Sequence, residues 1–267
     1  MCIMSESDII LEARNLRKEF GGLVAVNDVS LRIERGITHS IIGPNGAGKT
    51  TLFNLLSGIY PPTRGKVIFN GEDITNAPLH RRAHLGLGRS FQITNIFPDL
   101  TVFENVRLAA QAMSGVNFHF WRRADSYPAF IERAHEVLNT VGLKEDITLP
   151  ANALPHGGKR KLELAILLAP DPDVLLLDEP TAGMAAEQVP ELMATIDTIR
   201  RESGKTIIMV EHNMSVVMNS SDRITVMHLG ALLAEGTPEE IATNQTVQSV
   251  YLGELYGSPD MMGADNE

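Results

Sequence analysis

The sequence has one cysteine and one tryptophan, and its aromatic residues amount to only 5 %. A single thiol, Cys2, cannot close an internal disulfide, so a reducing compartment is expected. No stretch approaches the roughly 20 apolar residues of a membrane span, so any service to a membrane has to pass through a partner. Residues 1–8 are polar and mixed, without the apolar segment of a secretory signal. The formal charge is −10 and there is no basic stripe, which argues against a nucleic-acid partner. No internal repeat is present. The 267 residues suffice for a large core, as one domain or one domain with a subdomain. Apolar runs of strand type alternate with helical runs, which predicts an α/β fold with a mostly parallel sheet.

Against these absences stands Gly43-Pro44-Asn45-Gly46-Ala47-Gly48-Lys49-Thr50-Thr51. It has the form G-x-x-x-x-G-K-[ST], preceded by a β-branched run at 37–42 and followed by a helical run at 50–56. A strand, a glycine loop and a helix are the context this phosphate-binding pattern needs. Glycines let backbone N–H groups turn inward without Cβ clashes, and the helix N-terminus adds its positive end. The pattern therefore points to ATP and Mg²⁺, with Lys49 on the β- and γ-phosphates and Thr50 on the metal. A second motif fits the same chemistry. Val174-Leu175-Leu176-Leu177-Asp178-Glu179 is an apolar strand ending in two acids. Asp178 is expected to hold Mg²⁺ through water, and Glu179 to polarise the attacking water. Adjacent strand residues point to opposite sides, so the two acids are expected to divide the roles.

Other segments supply the frame. Strands are expected at 9–16, 29–33, 66–69 and 206–210, and a hairpin at 223–228 and 231–234. Residues 18–22 read as a turn with an exposed aromatic. Helices are expected at 78–85, 102–112, 129–141, 159–169 and 187–202. Thr237-Pro238-Glu239-Glu240 is a capping box with proline in the first turn. Residues 114–128 carry Phe118, Phe120, Trp121 and Tyr127 and read as an inserted segment. Residues 257–267 read as a polar, mobile tail.

With these motifs in place the chain resembles the ATPase subunits of ABC transporters along nearly its whole length, 9–256. The resemblance implies a P-loop NTPase core, an antiparallel β subdomain, and a helical signature subdomain over about 92–170. It places Phe20 against adenine. It makes Gln92, in Arg89-Ser90-Phe91-Gln92, a glutamine that senses Mg²⁺ and the permease. It makes His212, in Val210-Glu211-His212-Asn213, a switch near the γ-phosphate. Leu154-Pro155-His156-Gly157-Gly158 stands at the signature position, and the segment 180–185 at the D-loop. Finer features look like one branch, the importers of branched-chain amino acids and related amides and urea. These are Arg89-Ser90-Phe91-Gln92-Ile93, the segment around Trp121, Glu211-His212-Asn213-Met214, Gly236-Thr237-Pro238 and Val250-Tyr251-Leu252-Gly253-Glu254. That branch implies a second ATPase subunit, identical or not, two membrane permease subunits and a solute-binding protein. It implies a place on the cytoplasmic face of the plasma membrane, held there by the permease.

The signature departs from the family pattern L-S-G-G-Q. Its serine position is Pro155, its first glycine His156 and its glutamine Gly158, while Ala185 replaces the D-loop aspartate. In the family that serine grips the γ-phosphate bound to the opposite subunit, and proline has neither hydroxyl nor N–H. The sequence therefore admits alternatives to an importer ATPase: a lipid or lipopolysaccharide exporter, or a regulatory subunit that hydrolyses weakly. A nucleotide switch acting on DNA or ribosomes is disfavoured by the acidic charge.

Overall fold

The computed structural model describes residues 8–90, 96–112 and 127–256, with side chains placed through Tyr251. The chain divides into two compact units, Met1–Asn76 with Val210–Glu267, and Ala77–Met209. Each contains strands and helices, giving the α/β class expected.

In the first unit the long strands β1 (Ile9–Phe20) and β2 (Leu23–Glu34) form a hairpin, which β4 (Arg64–Phe69) and β5 (Glu72–Asp73) extend in the order β2-β1-β4-β5. All these pairings are antiparallel. The hairpin corrects the expected turn at 18–22. Lys18 pairs with Val26 and Glu19 with Val24, so the strand runs on to Phe20 and only Gly21 and Gly22 turn. β3 (Thr38–Ile42) is wholly buried and lies parallel to β9 (Arg223–His228). β10 (Ala231–Gly236) folds back antiparallel on β9. β3 is unusually polar for a buried strand, and its polar groups bond across to the β9 side. Thr38 N–H donates to Asp222 Oδ2 at 2.8 Å. His39 Nε2 and Thr225 Oγ1 share a hydrogen bond of 2.8 Å, and Ser40 Oγ lies 2.6 Å from Ser221 Oγ. These bonds fix the strand that delivers the glycine loop to α1 (Lys49–Ser57).

In the second unit β6 (Leu87–Arg89) runs parallel to β7 (Val174–Asp178), and β8 (Thr206–Val210) flanks β7 on its other edge. α2 (Leu79–His84), α3 (Val102–Ala112), α4 (Pro128–Thr140), α5 (His156–Leu168) and α6 (Val189–Ser203) complete it. Their apolar faces meet in one cluster that includes Val106, Leu138, Leu162, Leu168, Leu177 and Ile196. On α4 the buried residues are Ala134, Val137 and Leu138, with Val141 at the C-cap, while Ile131 is only half-buried. α5 begins three residues earlier than expected, so Pro155 is the residue immediately before the helix.

The first unit ends in α7 (Met214–Ser220), α8 (Pro238–Thr243) and α9 (Gln245–Tyr256). Thr237 caps α8 with the reciprocal bonds that its sequence predicts. Among the described residues no helix is long and apolar enough to cross a membrane. Gln92, the aromatic residues from Phe118 to Trp121, and the tail 257–267 lie outside the described residues.

Candidate functional site

The glycine loop is built by steric necessity at its two ends and left open between them. Gly43 has φ +146°, and a Cβ there would lie 2.2 Å from Met227 O. Gly48 has φ +96°, and a Cβ there would lie 2.4 Å from Ala25 O. Both positions exclude any side chain. At Gly46, φ +77°, nothing lies within 4 Å of the same point, so the loop faces free space there. Behind it, Ala47 N–H donates to Pro44 O at 3.1 Å and Gly230 N–H to Ala47 O at 3.0 Å. Gly48 is the N-cap of α1 and has no side chain to cap the first-turn N–H groups. The Lys49 ammonium is buried and donates to Gly43 O at 2.6 Å and Pro44 O at 2.9 Å. Thr50 is exposed and Thr51 half-buried; Asn45 is exposed and Pro44 buried. An open loop with helical N–H groups, an ammonium and a free-standing hydroxyl fits a polyphosphate.

The hairpin tip brings an aromatic surface toward this loop. Phe20 is 42 % exposed and stacks edge-on against Tyr60, with ring centroids 5.4 Å apart. Lys18 Nζ lies 5.1 Å and 5.7 Å from the two ring centroids and donates to Pro61 O at 2.8 Å. Phe20 pairs with Leu23, only two residues from Ala25, whose carbonyl abuts Gly48. At about 3.3 Å per strand residue the ring lies within a nucleoside's length of the loop. Tyr60 and Lys18 were not singled out by the sequence. Their partner Phe20 was legible by resemblance, but a tyrosine two residues past a helix cap carries no local signal.

The acid pair lies in the second unit. Asp178 ends β7, and its carboxylate is held by Arg89 at 3.3 Å. Its N–H donates to Ser90 Oγ at 3.1 Å. Glu179 is not a strand residue. It has φ +49°, a left-handed conformation uncommon for glutamate, and its carbonyl accepts from Ala182 N–H at 3.0 Å. Glu179 lies past the end of β7, so strand alternation does not set its direction relative to Asp178. Among the described residues no group of three or more His, Cys, Asp or Glu side chains could cage a metal. A cation held by Asp178 would complete its shell with hydroxyl, water and phosphate oxygens. Mg²⁺, which favours one or two carboxylates plus phosphates, fits that donor set.

His212 is exposed, and its N–H donates to the buried Glu211 Oε2 at 3.1 Å. Asn213 caps α7 through Ser215 N–H and Val216 N–H, which fixes the direction of the chain after His212. Around the signature, Pro155 caps nothing with its side chain, and Lys159 N–H donates to Pro155 O at 3.0 Å. A Cβ on Gly183 would come 3.8 Å from the His156 ring, and one on Gly157 would come 3.5 Å from Gln188. The segment after Glu179 thus packs on the start of α5. Arg160 reinforces this, donating to Ala182 O at 3.1 Å and Glu163 Oε2 at 2.8 Å. A largely apolar cavity of about 500 Å³ lies in the same unit, lined by Gly88, Phe97, Leu108, Ile166 and Leu167, with Arg89, Ser90 and Ala112 at its wall.

Comparison with known proteins decides the family. The ABC transporter family model matches residues 26–182, more than half of the chain. The chain belongs to the ABC transporter ATP-binding family. A second model, "Branched-chain amino acid ATP-binding cassette transporter", matches residues 231–256. The chain is 41 % identical over 252 residues to the high-affinity branched-chain amino acid transport ATP-binding protein BraF of Pseudomonas aeruginosa, covering 92 % of this chain and 98 % of BraF. It is 39 % identical over 255 residues to LivG of Escherichia coli, which has the same description, covering 93 % and 99 %. Among solved structures it resembles the ADP conformation of MJ1267, an ATP-binding cassette of an ABC transporter. The TM-score is 0.81 at 29 % identity, covering 92 % of this chain and 99 % of that one. The dimeric cassette MJ0796 gives 0.72 at 26 % identity, covering 86 % and 99 %. This ABC chain is an ATPase with the P-loop α/β fold, and it works with permease partners and a second ATPase subunit.

Proposed function

We propose that this ABC subunit powers an importer of branched-chain amino acids or related small amides. The observation that carries this reading is the pair of agreements at about 40 % identity over more than nine-tenths of the chain, joined to the branch-specific match at 231–256. The same branch supports a solute-binding protein that delivers the amino acid, and a station on the cytoplasmic face of the membrane, where the permease holds the subunit.

In this reading Lys49 and the N–H groups at the start of α1 bind the β- and γ-phosphates of ATP, and Phe20 supports the adenine. Thr50 and Asp178 are the protein's ligands toward Mg²⁺, aided by Gln92. Bound Mg²⁺ supplies charge neutralisation on the phosphate oxygens as the terminal bond breaks. Glu179, one residue past the buried Asp178 and in a left-handed backbone conformation, orients and deprotonates the attacking water. His212, exposed after β8, contacts the γ-phosphate from its side. The contact of α5 with the segment after Glu179 supports a mechanical link between signature and catalytic acid. The 500 Å³ apolar cavity supports a docking site for a cytoplasmic segment of the permease, since Ser90 at its wall stands two residues before Gln92, the residue expected to sense the permease. The test is uptake by vesicles holding the chain with its permeases, second ATPase and binding protein. ATP-driven uptake of leucine is expected, and Lys49→Ala should abolish both uptake and nucleotide binding. Transport of a lipid and of no amino acid would overturn the reading.

A further inference from the structure

β6 and β7 are parallel neighbours, with Arg89 opposite Leu176. Side chains alternate along a strand, so Arg89, Leu176 and Asp178 share one face of the sheet, with Asp178 on the diagonal from Arg89. There the guanidinium meets Asp178 Oδ2 at 3.3 Å, and the two side chains are only 7 % and 1 % exposed. The neighbouring residue ties the backbones together. Ser90 N–H donates to Leu176 O at 2.8 Å, and Ser90 Oγ accepts from Asp178 N–H at 3.1 Å. A buried carboxylate is costly without a counter-charge, and a guanidinium beside it offsets that cost. The same guanidinium also satisfies the charge that would draw a cation to Asp178.

From this geometry we infer that Arg89 is a positioning residue for the metal carboxylate, a built-in counter-ion with which Mg²⁺ competes for Asp178. The inference rests on Asp178 being the metal carboxylate. Arginine does not deprotonate in a protein, so the competition cannot be relieved by loss of a proton. It is relieved only by moving the guanidinium, that is, by moving the end of β6 relative to β7. Arg89 and Ser90 also line the apolar cavity.

The test is Mn²⁺ binding to the ADP complex of the purified chain, read from the electron paramagnetic resonance signal of free Mn²⁺. Arg89→Gln keeps a hydrogen-bond donor and removes the charge. It should lower the half-saturating Mn²⁺ concentration about three- to tenfold, because the cation's competitor for the Asp178 carboxylate is gone. Arg89→Lys keeps the charge and should stay within about twofold of wild type. Asp178→Asn should raise the concentration at least about tenfold, and adding Arg89→Gln to it should change nothing further. An unchanged or weaker affinity in Arg89→Gln, with the loss in Asp178→Asn intact, would show a merely structural ion pair. No effect of Asp178→Asn would instead remove the premise that Asp178 serves the metal. Should Arg89→Gln fail to fold, wild-type protein decides the matter. The Arg89 guanidinium resonance, assigned by its loss in Arg89→Lys, must shift when Mg²⁺ is added to the ADP complex. A resonance that stays put overturns the inference.

Discussion

His39 should make the phosphate-binding unit sensitive to mild acid. It is fully buried in β3, and burial, with the Arg223 guanidinium nearby, pushes its imidazole down from 6.5 to about 3. The folded protein therefore keeps His39 neutral, while the unfolded chain takes up a proton near pH 6.5. The folded value lies below the unfolded one, so the stabilisation is complete above about pH 6.5 and is lost as the pH falls toward 3. Between pH 7 and pH 5 the unfolded imidazole becomes almost fully protonated. Linkage makes the loss about 2 kcal/mol, and any folded value below about 4 gives the same result. Against a net stability on the order of 5–15 kcal/mol this is large. The assay is urea unfolding at pH 7 and pH 5 of wild type and His39→Gln, whose amide keeps a partner for Thr225 and does not titrate. His39→Gln should be less stable at pH 7 and lose about 2 kcal/mol less than wild type on acidification. Parallel pH curves for the two proteins would refute the argument.

Two further outcomes concern the neighbours of the site. Pro155 offers no hydroxyl or N–H at the start of α5, so Pro155→Ser should raise the turnover of an assembled complex by up to about a hundredfold, the upper value of one hydrogen bond to a charged group. No gain would mean that the backbone donors of Gly157 and its neighbours suffice. In a Cys2→Ser background, cysteines at Ile96 or Phe97, beside the apolar cavity, should crosslink to a cytoplasmic permease segment. Crosslinks from the exposed Asn219 alone would contradict that docking face.

The parts of the site that could be read from the sequence are those whose physics is local. The glycine loop announces itself because Gly43 and Gly48 tolerate no Cβ, and both lie within one short stretch with Lys49. The capping box at Thr237 is visible for the same reason. What escaped was set by tertiary pairing. Arg89 meets Asp178 across a sequence separation of 89, and only the register of β6 on β7 brings them together. The aromatic support of Phe20 by Tyr60 depends on how the β1–β2 hairpin lies over the end of α1. Lys18 and Glu19 look like a turn in the sequence because polar residues precede two glycines, yet pairing with Val26 and Val24 carries the strand on. The turn at Glu179 could not be foreseen, since its left-handed backbone goes against the residue's own preference.

The central claim is that hydrolysis at this chain's own ATP site, with Glu179 as the base, drives uptake of a branched-chain amino acid. Its most direct test is ATP-dependent accumulation of leucine by the assembled complex in vesicles, wild type against Glu179→Gln, with ATP binding measured in parallel. The account predicts that Glu179→Gln binds ATP as wild type does, hydrolyses it at least about a hundredfold more slowly, and accumulates no leucine. Wild-type hydrolysis and uptake by Glu179→Gln would contradict it.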